Sequence, residues 1–124
     1  MTDADRRLAA IATGQLAGFS RRQAHDAGIS DRQLRRRVQS GVLIQTGPHS
    51  FRSAMAPVTP LVELHDRLLD IGGEVWATGP TAAALYGFDG YTLRRPFHVL
   101  VPRERHLSRR DIRLHSSDRI ELID

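Results

Sequence analysis

Apolar residues at Leu8, Ile11 and Ala12 follow the i, i+3, i+4 spacing of a one-sided helix and predict one over 3–13. Asp3 and Asp5 fall in its first turn, where the helix dipole favours acids, and Gly14 supplies a stop. Two shorter helices follow, each opened by the same signature. Ser20 and Gln23 after Phe19, then Ser30 and Gln33 after Ile29, form S-x-x-Q capping boxes ten residues apart. In each box the Ser oxygen accepts the N3 amide and the Gln side chain reaches back to the Ser amide. Ile29 and Leu34 take the staple positions around the second box. Gly28 and Gly41 supply the left-handed stops. A short helix, a tight turn and a second helix make a helix-turn-helix.

In the second of these helices Leu34 and Val38 lie four apart and face inward, so Arg32, Gln33, Arg35, Arg36 and Gln39 point away from the core and Arg37 lies on the flank. The β-branched run 42–46, the Gly47-Pro48 turn and the return over 49–52 read as a hairpin, a wing behind the helix. A small-residue linker over 53–58 leads to Thr59-Pro60, a cap with proline at N1. Leu61, Leu64, Leu68 and Ile71 give the next helix its stripe, and Gly72-Gly73 ends it. A short strand over 74–78, an Ala-rich helix from Gly79-Pro80-Thr81 to Gly87, and strands over 97–102 and 112–115 complete the pattern. The fold class is α+β: a winged helix-turn-helix over 1–56, then a small mixed α/β region over 57–124.

Composition narrows the chemistry. Cysteine is absent, which removes disulfides, Cys-ligated zinc and thiol nucleophiles. All 18 basic residues are arginine, so a Walker A lysine, a kinase lysine and Schiff-base catalysis are excluded. No apolar run approaches the ~20 residues of a membrane helix, and the first residues lack the apolar core of a secretory signal. The expectation is a cytoplasmic protein without membrane contact. His98, His106 and His115 have no ligand spacing, and the Ser116, His115, Asp118 set points different ways along an extended segment. No metal, no cofactor and no catalytic residue is expected.

Charge separates the halves. Residues 1–52 hold nine Arg against four Asp, whereas residues 53–124 hold nine Arg against ten acids. A basic front half suggests a polyanionic partner. The run Arg35-Arg36-Arg37 reads either as the solvated face of an arginine-rich chain or as a recognition helix. Its place on the second helix of a capped helix-turn-helix favours the second reading, since guanidinium matches guanine and Gln matches adenine bidentately. Arg32, Gln33, Arg35 and Arg36 are the candidate base contacts. Ser20, Arg21, Arg22, Ser30, Arg37, His49 and Arg52 are the candidate phosphate contacts on double-stranded DNA. Arg103, Arg105, Arg109 and Arg110 form a second patch, interrupted by Glu104 and by Asp111, that reads equally well as a solvated loop.

The segment from Gln15 to Phe51, with Phe19-Ser20-Arg21-Arg22-Gln23, Ala27-Gly28-Ile29-Ser30-Asp31 and Arg35-Arg36-Arg37-Val38-Gln39-Ser40-Gly41-Val42-Leu43, resembles the N-terminal winged helix of AbiEi-type antitoxins of type IV toxin–antitoxin systems. The stretches 78–88, 97–103 and 112–116 are similar to the same group. The resemblance implies a repressor of its own operon that binds promoter DNA and counters a nucleotidyltransferase-like toxin without a required stable complex. The end at Ile123-Asp124, where such relatives continue, implies a short or truncated member. Two other readings stand beside it: the DNA-targeting fragment of a protein with a Vsr-like endonuclease domain, and a winged helix that binds a protein partner.

Overall fold

A computed structural model describes residues 2–102 and 111–117. The patch expected at Arg103–Arg110 and the Asp118 of the Ser–His–Asp set lie outside the described residues. The chain forms two compact units, 1–70 and 71–124. The division falls at the last residue of the helix that opens at Pro60, and the linker composition puts a boundary at 56/57.

The first unit opens with α1 (Asp3–Thr13), where the Thr2 hydroxyl accepts the Asp5 amide and Asp5 returns to the Thr2 amide. Then come β1 (Gly18–Ser20), α2 (Arg21–Asp26) and α3 (Asp31–Gln39). Both predicted capping boxes form, with Ser20 Oγ accepting from Gln23 N at 3.1 Å and Ser30 Oγ accepting from Gln33 N at 3.2 Å. Gly28 at φ 98° makes the turn between the two helices, a conformation that costs a residue with a Cβ. Ile29 and Leu34 are both about 1% exposed, so the staple is closed on the core. Val38 is half-buried and packs against the same cluster as Phe19, Ala24, Ala27 and Phe51.

The wing is β2 (Leu43–Gly47) and β3 (Ser50–Ser53), antiparallel, with a bulge between Gln45 and Gly47. The sequence pattern missed β1. Its three residues, read only as the entry to a capping box, pair antiparallel with β3 and make the sheet order β1-β3-β2. That puts β3 in the centre of the sheet. Phe51 stacks on Phe19, with ring centroids 5.8 Å apart, on the helix-turn-helix side.

The other side of β3 is covered by α4 (Pro60–Ile71), opened by Thr59, whose hydroxyl accepts the Val62 amide at 3.1 Å. The expected stripe shifts. Leu64 and Ile71 are buried, but Leu61 is exposed and Val62, Asp66 and Asp70 are buried in its place. The reason is polar: the Asp66 and Asp70 carboxylates accept hydrogen bonds from Arg52 and from the wing turn, as described below.

The second unit holds β4 (Trp76–Ala77), α5 (Gly79–Leu85), β5 (Phe97–Pro102) and β6 (Ile112–Ser117) in the sheet order β4-β5-β6. β4 pairs antiparallel with β5, and β6 pairs parallel to it. Phe97, Val99 and Val101 are buried and alternate with half-buried His98, Leu100 and Pro102, the period-2 pattern of a strand with one face in a core. The buried Thr81 hydroxyl of α5 accepts the His98 amide at 2.7 Å.

Candidate nucleic-acid interface

The outer face of α3 carries the predicted base-contact residues. Arg32, Gln33, Arg35 and Arg36 are all exposed. Among the described residues the side chains of Arg32, Arg35 and Arg36, and of Arg22 on α2, have no ion-pair or hydrogen-bond partner. Gln33 differs. Its Oε1 accepts the Ser30 amide at 2.8 Å, so one of the two atoms needed for bidentate adenine recognition already serves the cap. A cleft of about 150 Å³ between α3 and the wing is lined by Arg35, Gln39 and Gln45 among others.

The candidate phosphate contacts divide. Arg22 is exposed, and so is the His49 side chain at the wing turn. Ser20 and Ser30 sit at the N-termini of α2 and α3, their oxygens engaged by N3 amides. Arg37 turns to α1, where its Nη2 donates to Asp5 Oδ1 at 2.8 Å. The Asp5 carboxyl is held below its ordinary range by the Thr2 amide first, then by the Thr2 hydroxyl and Arg37. Arg21 donates Nη1 to Asp31 Oδ1 at 2.6 Å, while Nε and Nη2 both donate to Pro48 O. Asp31 also takes His25 Nε2 at 2.8 Å, and the bonds from Arg21 and His25 hold its carboxyl below the ordinary range.

Arg52 is a correction. It was expected to hold a phosphate from the wing, but its side chain is 8% exposed and donates Nε to Asp66 Oδ2 at 3.1 Å. As a residue of the central strand on the face opposite Phe51, it meets α4 instead of solvent. Burial pushes the Asp66 carboxyl up, and the Arg52 guanidinium partly offsets this.

Sequence reasoning also missed the residues that hold the wing from behind. Asp70 Oδ1 accepts the His49 amide at 2.7 Å, and Arg67 donates Nη1 to the Thr46 carbonyl. A Cβ on Gly47 would lie 2.5 Å from Asp70 Cγ, so only glycine leaves room for this carboxylate. The clue in the sequence was Asp66-Arg67 and Asp70 interrupting an apolar helix stripe.

In the second unit the rings of His98 and His115 stack, with Nδ1 of His98 3.0 Å from Nε2 of His115. No group of three or more metal-ligating side chains occurs among the described residues.

Fold and site together define a winged helix-turn-helix with an arginine-faced third helix, followed by a small α/β unit. Residues 7–50 match the family model described as "Transcriptional regulator, AbiEi antitoxin", which bears out the AbiEi-type resemblance over the front of the chain. The crystal structure of the RV2827C protein from Mycobacterium tuberculosis is similar over 94% of this chain and 46% of its own, at 15% identity and a TM-score of 0.57. This chain thus spans about half the length of that protein, and the likeness concerns the fold. No curated protein matches the sequence. Among the described residues no helix is long and apolar enough to cross a membrane.

Proposed function

We propose that the first unit binds double-stranded DNA sequence-specifically through α3 and the wing, and that the protein is an antitoxin-type autorepressor acting at its own promoter. The observation that carries this reading is the face of α3, where Arg32, Arg35 and Arg36 stand exposed without protein partners among the described residues, although most other arginines of the unit are engaged. Leaving guanidinium groups unpaired on one helix face preserves all their donors for an external acceptor. On the outer face of a recognition helix that acceptor is a base edge or a phosphate. The family match at 7–50 supports the regulator role. Arg32, Arg35 and Arg36 are assigned to bases, with Gln33 contributing its amide donor. Arg22, His49 and the helix ends at Ser20 and Ser30 are assigned to phosphates. The functional counterpart is a nucleotidyltransferase-like toxin, without a required stable contact.

The test is fluorescence anisotropy with the protein's own upstream DNA against a scrambled duplex, over a range of salt. Tighter binding to the native sequence, weakening linearly in log K against log salt, is expected. Equal affinity for both duplexes removes the sequence-specific part, and a slope near zero removes the DNA reading.

A further inference from the structure

Arg21 opens α2, one residue after the Ser20 cap, and the first turn of a helix is where a phosphate would be expected. Its contacts run inward instead. The Arg21 amide donates to His49 O at 2.8 Å, and Nε and Nη2 donate to Pro48 O at 3.3 and 3.0 Å. The guanidinium carbon lies 5.0 Å from the centre of the Phe51 ring, the range of a cation–π contact. Nη1 donates to Asp31, the first residue of α3. One side chain therefore joins the wing turn, the wing strand β3 and the start of the recognition helix.

We propose that Arg21 is a positioning residue for DNA binding, a brace that sets the wing turn against the N-terminus of α3, and not a phosphate contact. This deepens the DNA reading above and rests on it. The planar fork explains the choice of residue: three nitrogens reach two acceptors in different directions while the plane lies over Phe51, which a single ammonium cannot reproduce. The brace works against a second hold on the same turn, where Asp70 takes the His49 amide and Arg67 the Thr46 carbonyl. With Pro48 and His49 gripped from both sides, the wing meets DNA in its bound shape, and the ordering cost of binding falls.

A phosphate contact and a brace make opposite demands on Arg21→Lys. A phosphate contact keeps its charge, so affinity holds and Arg21→Ala lowers the salt slope by about one. A brace loses its geometry in both variants. The expected result is DNA binding about tenfold weaker in Arg21→Lys, the scale of one charge-assisted hydrogen bond, with the wild-type salt slope in both variants. Amide exchange at His49 and Ser50 should quicken in both. Asp31→Ala should weaken binding non-additively with Arg21→Ala, and Arg22→Ala should lower the slope as a true phosphate contact does. Wild-type affinity in Arg21→Lys, or a reduced slope in Arg21→Ala, overturns the proposal. If the wild type binds no DNA, exchange alone decides: unchanged His49 and Ser50 rates in Arg21→Lys overturn the brace even then, and faster rates uphold the hold on the wing while the DNA reading falls.

Discussion

Arg52 on β3 and Arg36 on α3 lie in the same unit and carry the same guanidinium, yet one is buried against Asp66 and the other stands in solvent without a partner among the described residues. The unit contains ten arginines, and their fates depend on the element that carries them. Those on the central strand and on α4 are spent on the fold: Arg52 on Asp66 and Arg67 on Thr46. Those on the outer face of α3 stand exposed with no partner among the described residues. A count of basic residues therefore overstates the charge available to a polyanion, and burial corrects the count.

The contrast breaks first on the buried side. Asp66→Ala leaves the Arg52 charge buried and unpaired, which should cost about 3–5 kcal/mol of stability in urea unfolding. Replacing the pair together, as Arg52→Met with Asp66→Leu, should recover most of that loss, because the desolvation of two ions is removed with them. Next comes the core under the exposed face. Leu34→Ala should cost ~2–5 kcal/mol as a large-to-small core change, whereas Arg36→Ala should leave the melting midpoint almost unmoved. Equal destabilisation by the two would overturn the orientation of α3.

How much of this could be read in the chain depends on distance along it. The capping boxes at Ser20 and Ser30, the staple of Ile29 and Leu34 and the turn at Gly28 are local, each closed within a few residues, and all were legible. The α4 contacts join residues 14 and 21 apart, Arg52 to Asp66 and His49 to Asp70, and no spacing rule announces them. Arg52 was misread for the same reason. In an open hairpin it would face water, and the unforeseen packing of α4 covers the face of β3 that carries it. The exposed part of the candidate interface was legible because helix periodicity places Leu34 inward and thereby Arg32, Arg35 and Arg36 outward.

On the exposed side the effects appear in binding. Arg36→Ala should flatten preference at one or two operator positions, worth ~1–3 kcal/mol of discrimination, as seen in binding-site selection. Arg36→Lys should restore attraction but not full preference. Identical selected sequences for all three proteins would mean that α3 does not read bases. The smallest effect sharpens the contrast through pH. Burial raises Asp66, so just above the ordinary carboxylate value of 3.8 the folded chain holds the extra proton and this group's contribution to stability declines as pH rises. Asp31 runs the other way: lowered by Arg21 and then His25, its contribution is present above 3.8 and is lost as pH falls through its lowered value. Urea midpoints across the acid range should show Asp66→Asn altering the slope above 3.8 and Asp31→Asn the slope below it. A common change in both variants would contradict this division.

The close approach of Asp70 to Gly47 makes the two positions a single unit of inheritance. A larger residue at position 47 has no room while the carboxylate stands there, and a shorter residue at position 70 leaves a gap and an unsatisfied His49 amide. Neither change is neutral alone, so drift at the pair must pass through a weakened intermediate or take both steps at once. In a library randomised at both positions and selected for folding, side chains at position 47 should survive chiefly where position 70 has become small.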